Sequence, residues 1–375
     1  MKQRIYADNA ATTKLDIDAY EAMKPFLLED YGNASQPYTF ARKPKKALAE
    51  ARATIADCIG ALPEEIYFTS GGTESDNWAI KSVVGLAEKH LTVTSQIEHH
   101  AVLNACGALE RLGYPVVYLP VNGEGTVIPE VLEKNITKLQ PRMVSVMLAN
   151  NEIGTIEPIK ELATVAHSHT ALFHTDAVQA VGHIPIDVND LRVDMLSASA
   201  HKFNGPKGIG FLYVRKGTVL TPYVDGGAQE NRMRAGTENI ASIVGMATAL
   251  KKNCDEMQCT AKKLHTMENI FFDTLRQSKV DFIRNGAECR VPGNINISIR
   301  STSGEMLLHR LDLKGIFIST GSACDSVNTQ ISHVIRSIGV PSEYVKGTIR
   351  VSFGRDNEVE DAMKVAKTIA DILRK

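Results

Sequence analysis

The sequence predicts an α/β fold in which a large domain with a mostly parallel central sheet is joined to a smaller α+β domain. Between about residues 45 and 215, short apolar runs alternate with amphipathic helical segments, and this alternation is characteristic of βαβ units. After about residue 240 the pattern changes to long helical stretches followed by a few short strands. A chain of 375 residues is long enough to form two domains.

The first part of the chain contains seven predicted strands. Each is a short run of apolar and β-branched residues, and the runs lie at 66–70, 91–95, 115–120, 142–149, 171–176, 193–199 and 209–214. Helical patterns such as those at 77–90 and 159–169 separate several of them. Because ligands of such sheets bind at the carboxyl ends of the strands, the residues that follow each strand are the candidates for a functional site.

The second part begins with two predicted helical stretches, at about 238–252 and 256–278. Strand-like runs "NINISI" and "TIRVSF" follow, and a helix with apolar residues at i, i+3 and i+4 spacing ends the chain. With a boundary near residue 259, we expect a large domain at 12–259. A small domain would combine residues 1–11 with 260–375.

Composition excludes several classes of protein. The formal net charge of -1 gives no reason to expect a nucleic-acid or membrane-surface partner. Six cysteines lie far apart without C-x-x-C spacing, which argues against a disulfide framework and against a metal site. The first residues lack the apolar stretch of a signal peptide, so we expect a cytoplasmic protein.

Two of the predicted strands end in residues that could bind a charged ligand. A Gly-Gly-Thr loop at 71–73 follows the first strand and precedes a helix, and such a loop leaves backbone N–H groups free for a phosphate. Asp176 ends the fifth strand, and Gln179 follows on the same predicted helical face. Taken singly, each motif is as well explained by an ordinary helix cap, with Thr73 or Ser75 capping the first helix.

Further polar residues follow other strands. Asn150 and Asn151 lie after the fourth strand, where an Asx turn is the simpler interpretation. His99 follows the second strand and could be only a structural histidine. Lys202 lies between the sixth strand and the turn "NGPKG", and it is either a solvated turn residue or an amine at the mouth of the sheet.

Together these strand-end residues indicate a pyridoxal-phosphate site. That cofactor requires a lysine for its aldehyde, an acidic partner for its pyridine nitrogen, amides and hydroxyls for its phosphate and a stacking group for its ring. No G-x-G-x-x-G follows a strand and no G-x-x-x-x-G-K-[ST] loop is present, so neither a nicotinamide nor a P-loop nucleotide site competes.

With these residues in place, the chain resembles the cysteine desulfurases of the class V aminotransferase family, which have the pyridoxal-phosphate transferase fold type I. The resemblance extends from "YADNAATT" to "IRVSFGR", almost the whole chain. Six motifs occur in the family's order: "TSGGTESDN", "NNEIGT", "HTDAVQAVG", "SASAHKFNGPKGIG", "GGAQENRMRAGTEN" and "STGSACDS".

The resemblance implies a role for each matching residue. Lys202 would attach the cofactor covalently and move the substrate Cα proton, and Cys324 would accept the sulfur. His99 would stack on the ring and handle a proton. The remaining cofactor ligands implied are Gly72, Thr73, Asn151, Asp176, Gln179, Ser199, His201 and, across a dimer interface, Thr237. Arg350 would bind the substrate carboxylate together with Asn151.

The implied reaction converts L-cysteine to L-alanine and leaves a persulfide on Cys324. A homodimer and a sulfur-acceptor protein, such as an iron–sulfur scaffold, are the implied partners. Two alternatives stay open at this point. One is another class V reaction, either selenocysteine lysis or transamination, although a transaminase has no use for Cys324. The other is a degenerate scaffold subunit, against which the presence of Lys202, Asp176, Gln179 and Cys324 argues.

Overall fold

The computed structural model describes residues 4–82, 89–320 and 331–374. The helices of these residues are α1 Ile17–Leu28, α2 Arg42–Ile59, α3 Gly72–Lys81, α4 His100–Arg111, α5 Pro129–Ile136, α6 Ile159–Ser168, α7 Val188–Leu191, α8 Ile240–Gln277, α9 Gly304–Asp312, α10 His333–Ser337, α11 Ser342–Val345 and α12 Val359–Leu373. The strands are β1 Ile5–Tyr6, β2 Ile66–Thr69, β3 Thr92–Ser95, β4 Val116–Leu119, β5 Met143–Ser145, β6 Leu172–Asp176, β7 Met195–Ser199, β8 Gly210–Val214, β9 Phe282–Arg284, β10 Asn294–Ile299, β11 Ile316–Phe317 and β12 Thr348–Ser352.

The central sheet contains seven strands in the order β2-β8-β7-β6-β5-β3-β4. Strands β7, β6, β5, β3 and β4 run parallel to one another, whereas β8 is antiparallel to both β2 and β7. All seven predicted strands are therefore present, and the prediction of a mostly parallel α/β sheet is confirmed. The fourth is shorter than expected: β5 ends at Ser145, although Val146 N and Leu148 N still donate to the β6 carbonyl oxygens of His174 and Asp176.

Helices cover the sheet and seal it from water. One large apolar cluster joins sheet residues such as Val93, Val144 and Phe173 to residues of α2, α6 and the first half of α8. A second cluster, which includes Trp78, Leu109 and Met195, lies where α3 and α4 pack. Burial of both sheet faces explains why the parallel strands are continuous apolar runs in the sequence.

The two helical stretches expected around residues 238–278 form the single helix α8, which is 38 residues long. Its first half contributes Ile243, Met246 and Leu250 to the large cluster. Its second half contributes Leu264 and Phe271 to a separate apolar cluster. The polar interval between the two halves interrupts the apolar pattern of the sequence but not the helix. The two halves simply pack against different apolar clusters.

That separate cluster belongs to the second part of the chain. It packs α12 and α9 against the antiparallel sheet β12-β10-β9, and it includes Ile5 of β1, which pairs with β11. The second part of the chain is therefore an α+β region, as expected, and it includes strand β1 from the N-terminal segment. The boundaries at 11/12 and 259/260 stay predictions. Among the described residues, no helix has the length and apolar character that a bilayer crossing requires.

Candidate active site

A cavity of about 450 Å³ opens at the carboxyl ends of the central strands. It collects residues that follow β2, β3, β5, β6 and β7, together with residues from the first segment of the chain and from β12. Ten of the candidates lie in its wall: Gly72, Thr73, His99, Asn151, Asp176, Gln179, Ser199, His201, Lys202 and Arg350. The sequence places these residues up to 278 positions apart, from Gly72 to Arg350, and the sheet topology brings them together.

Lys202 lies in a single 3₁₀ turn, Ala200–Lys202, directly after β7. Its Nζ donates hydrogen bonds to the carbonyl oxygens of Ala10 at 2.6 Å and Ala11 at 3.0 Å. Its own carbonyl oxygen lies 2.9 Å from Nε2 of His183. The backbone of Lys202 is therefore fixed, and its amine is oriented along the cavity wall rather than into solvent.

Asp176 is the last residue of β6 and is 4% exposed. Burial raises the pKa of its carboxyl to about 6, although a hydrogen bond from Val178 N at 2.9 Å and the charge of Lys202 both act in the opposite direction. A turn, rather than the expected helix, follows β6. Gln179 lies in that turn and donates to the Ala10 carbonyl at 2.9 Å, the same oxygen that Lys202 contacts.

A buried polar cluster of His174, Ser145, Ser197 and Asp76 lies next to Asp176. The His174 ring lies 2.8 Å from Ser145 Oγ and 3.0 Å from Ser197 Oγ, and burial lowers its pKa to about 3, so the ring is neutral. Asp76 lies 3.7 Å from His174 Nε2, and burial together with the nearby Asp176 raises the pKa of Asp76. An ionised Asp176 is therefore stabilised best by a positive group on its cavity side.

His99 caps the first turn of α4. Its Nδ1 accepts a hydrogen bond from Ala101 N at 3.1 Å, which leaves Nε2 as the protonated nitrogen of the neutral ring. Burial lowers the pKa of His99 to about 4, and the charge of Lys202 adds to this effect. At neutral pH the cavity thus contains an uncharged planar ring, as stacking on another ring requires.

The first turn of α3 forms a cradle for an anion. Within the described residues no side chain caps this turn, whose N-cap is Gly71 with a φ of 148°. Thr73 and Ser75, the two expected caps, therefore do not cap this helix. The Ser75 hydroxyl instead bonds to the Thr69 hydroxyl and to the Phe211 carbonyl oxygen. The backbone N–H groups at this helix start are therefore available to a ligand.

The cradle has no room for a side chain at its first helical residue. A Cβ on Gly72 would lie 2.5 Å from Val178 Cγ2. We expect Gly72→Ala to destabilise the protein by about 1–3 kcal/mol through overpacking and to weaken phosphate binding, as measured by thermal melts and phosphate titration.

Two further variants test this prediction. Val178→Ala in the Gly72→Ala background should recover part of the stability, because it removes the clashing methyl group. Gly107→Ala in α4 should be neutral or stabilising, since its Cβ would meet only Arg111 Nη1 at 3.7 Å. A Gly72→Ala protein as stable as the parent would show that α3 moves freely.

Arg350 extends from β12 and is 2% exposed. It donates to the Asn151 carbonyl oxygen at 2.9 Å and to Asp8 Oδ1 at 2.7 Å. Its buried Nε has no hydrogen-bond partner among the described residues. The guanidinium is thus fixed on two sides and keeps a donor for a further anion.

The structure does not bring Thr237 together with the other candidates. Thr237 is exposed and does not line the cavity of its own chain. Cys324 lies outside the described residues. Asn150, considered with Asn151, forms the Asx turn, because its side chain accepts from Glu152 N and Ile153 N.

The cavity also contains residues that sequence reasoning missed. Glu74 lies in the motif "TSGGTESDN" and Lys207 in the motif "SASAHKFNGPKGIG", and both line the wall. Asp76 and Thr12 line it as well, and Thr12 Oγ1 lies 3.1 Å from the His201 ring. Their charge is the sequence signal that could have identified Glu74 and Lys207: Glu74 directly follows the Gly-Gly-Thr loop, and Lys207 lies within the turn after Lys202.

Comparison with known proteins identifies relatives over the full length of the chain. The family model described as "Aminotransferase class-V" matches residues 5–365. Cysteine desulfurase IscS of Dictyoglomus turgidum is 48% identical, and the alignment covers 100% of this chain and 96% of that protein. Cysteine desulfurase IscS of Methanosarcina thermophila is 44% identical, with 99% and 92% covered.

Solved structures agree with the sequence comparison. A structure titled "NIFS-LIKE PROTEIN" superposes with a TM-score of 0.93 at 35% identity and covers 99% of this chain and 100% of its own. Another, titled "SspA in complex with cysteine", has a TM-score of 0.83 at 34% identity, with 94% and 99% covered. With the fold, the cavity and relatives of this identity all in agreement, the chain belongs to the class V aminotransferase family and, within it, to the cysteine desulfurases.

Proposed function

We propose that the protein is a pyridoxal-phosphate-dependent cysteine desulfurase that takes sulfur from L-cysteine and releases L-alanine. The observation that carries this proposal is the single cavity in which Lys202, Asp176 and Arg350 meet. These residues supply an amine, a buried carboxylate and a carboxylate-binding guanidinium. The relatives named cysteine desulfurase support the same activity.

The residues of the cavity fit pyridoxal phosphate. The uncapped start of α3, with Gly71 and Gly72 leaving space for close approach, suits its phosphate. Asp176 is a buried carboxylate whose best partner is a positive group such as a protonated ring nitrogen. When bound, the cofactor supplies an electron sink that stabilises negative charge on substrate carbon atoms.

The chain's own residues bind the substrate and move protons. Arg350, fixed by Asp8 and Asn151, would bind the L-cysteine carboxylate through guanidinium N–H groups that these two contacts do not use. Lys202 Nζ would take the proton from the substrate Cα and return a proton to the carbon from which sulfur leaves. His99, neutral because of its lowered pKa, would pack on the cofactor ring without adding a positive charge.

Sulfur transfer is assigned to Cys324 on the resemblance to the family. The Cys324 thiolate attacks the substrate sulfur, so an S–S bond forms and the C–S bond breaks. The electron pair of that bond stays with the substrate carbon, which takes up a proton and becomes the methyl group of alanine. The enzyme retains a persulfide, whose outer sulfur an acceptor protein can then remove.

One assay tests the activity and its nucleophile. The purified holoenzyme with L-cysteine and dithiothreitol should release sulfide and alanine in equal amounts. Cys324→Ser should lower both by at least about a hundredfold, because no other thiol is assigned to take the sulfur. Cys289→Ser, at an exposed free cysteine, should leave both rates unchanged.

The other outcomes separate the alternatives. Alanine formed from selenocysteine alone would indicate a selenocysteine lyase. Turnover only with a keto-acid acceptor, without sulfide, would indicate an aminotransferase. Persulfide persisting in Cys324→Ser would overturn the choice of nucleophile, and a protein inactive with all three substrates would support the scaffold alternative.

We extend the proposal to assembly. The protein would act as a cytoplasmic homodimer in which Thr237 completes the cofactor site of the second subunit, and it would pass sulfur to an acceptor protein such as an iron–sulfur scaffold. The exposure of Thr237, outside the cavity of its own chain, supports a shared site.

A further inference from the structure

An ion pair borders the phosphate cradle and joins it to a distant segment. Arg234 donates from Nε to Glu74 Oε1 at 2.8 Å and from Nη2 to Glu74 Oε2 at 3.1 Å. The two side chains are 26% and 12% exposed. Glu74 Oε2 also accepts a hydrogen bond from Ser70 N at 2.9 Å. Both carboxylate oxygens of Glu74 are therefore engaged on the side of Arg234 and Ser70.

Glu74 poses an electrostatic problem for this cavity. It lies in the first turn of α3 and lines the wall next to Gly72 and Thr73. A carboxylate there can bind the same backbone N–H groups that a phosphate needs, and its charge repels a phosphate dianion. Burial raises the pKa of Glu74, yet the bonds from Arg234 and Ser70 hold it below its ordinary value, so the group is ionised.

The segment that carries Arg234 is rigidly attached to the sheet. Glu230 is buried and receives two hydrogen bonds from Arg52, at 2.8 and 2.6 Å, and one from Phe68 N at 3.0 Å. The Arg52 guanidinium also lies over the Phe68 ring, 4.4 Å from its centre.

The backbone of this segment adopts an uncommon conformation. Glu230, Asn231 and Arg232 have φ values of 44°, 56° and 66°, in the left-handed region that non-glycine residues rarely adopt. The Glu230 anchor offsets this strain. Arg234, two residues further on, is further fixed by a β-bridge to Val224.

We propose that Arg234 is a positioning residue of the phosphate cradle. It neutralises Glu74 and holds that carboxylate against the Ser70 amide, so that the first turn of α3 is free to bind a doubly charged phosphate. Arg234 acts through Glu74, and the inference rests on the proposed cofactor.

The experiment is a double-mutant cycle on cofactor affinity. Pyridoxal phosphate is titrated into the cofactor-free protein and followed by absorbance, and inorganic phosphate is titrated as a competitor. Arg234→Gln should weaken both ligands by about tenfold or more, because it leaves the Glu74 charge unpaired beside the phosphate. Glu74→Gln should bind as tightly as the parent or more tightly, since it removes the repulsive charge. The double variant should therefore bind at least about five times more tightly than Arg234→Gln alone.

A purely structural role predicts a different pattern. In that case Glu74→Gln would weaken binding as much as Arg234→Gln, and the double variant would be no better than either; this pattern overturns the proposal, as does unchanged binding in Arg234→Gln. Arg234→Lys retains the charge and should lose less affinity, which keeps the test usable if Arg234→Gln folds poorly. Arg215→Gln, at a partly buried arginine outside the cavity, should leave both affinities unchanged.

Failure of the proposed function is distinguishable from failure of this inference. A parent protein that binds pyridoxal phosphate and shows the predicted cycle, yet forms no sulfide, contradicts only the desulfurase assignment. A parent protein that forms sulfide while Arg234→Gln binds both ligands normally contradicts only the role of Arg234.

Discussion

Lys202→Ala is expected to abolish covalent attachment of the cofactor and to lower desulfurase turnover by at least about a thousandfold. The amine of Lys202 is the group assigned both to bind the cofactor's aldehyde and to move the substrate proton. It donates hydrogen bonds to the carbonyl oxygens of Ala10 and Ala11. Because Gln179 still bonds to the Ala10 carbonyl, the wall itself should persist in the variant.

Borohydride reduction followed by peptide mapping measures the attachment directly. The parent protein should carry the reduced cofactor on Lys202, and Lys202→Ala should carry none while still binding the cofactor non-covalently through the cradle. Lys207→Ala is the matched control, because Lys207 lines the same cavity five residues further along. A label on Lys207, or on any other lysine, would mean that the assignment of Lys202 is wrong.

The position of Lys202 was predictable because it depends on local order. The sixth strand and the Gly-Pro turn are adjacent in the sequence, and parallel strands place their carboxyl ends at one edge. The same argument located His99, Asn151 and Asp176. To place each of these residues, only the strand that precedes it has to be recognised. Buried strands are easy to recognise because they are apolar runs in the sequence.

Pairings between distant segments could not be predicted in this way. Glu74 and Arg234 are 160 residues apart, and Asp8 and Arg350 are 342 apart. A charged side chain in the sequence does not indicate which opposite charge it will meet, because that depends on how loops outside the sheet close over it. The family motifs contain these residues but give no partner for them.

Two helix predictions from the local sequence pattern were wrong, one in α8 and one after β6. The polar interval in α8 predicts a break between two helices, but the helix is continuous and only its buried face moves from one apolar cluster to another. The helical spacing of Asp176 and Gln179 likewise predicts a helix after β6, where the structure has a turn. Gly182 is part of the turn that occurs there instead: its φ is 80°, and a Cβ at this position would lie only 2.7 Å from Phe203 Cβ.

Asp176→Asn is expected to lower turnover by about a hundredfold to a thousandfold and to stabilise the cofactor-free protein above about pH 6. Turnover falls because an amide cannot supply the negative charge that keeps a ring nitrogen protonated. The stability effect follows from burial, which raises the pKa of Asp176 from 3.8 to about 6. The folded protein thus holds a proton that the unfolded chain has already released, so its stability is lost as pH rises through this interval. An asparagine has no charge to bury and avoids that loss.

Melting temperatures of the parent and of Asp176→Asn, both without cofactor and measured across pH, test whether the variant is stabilised. The advantage of Asp176→Asn should be absent below about pH 4, grow between about pH 4 and 6, and stay constant above. Glu157→Gln is the matched control outside the cavity. Glu157 is 3% exposed, its carboxylate accepts a hydrogen bond from Val127 N at 2.9 Å, and burial raises its pKa to about 8. It should stabilise the protein at alkaline pH without changing turnover. If Asp176→Asn instead melted lower than the parent at pH 8, the carboxylate would be stabilising the fold, and the conclusion that it requires a positive ligand would be wrong.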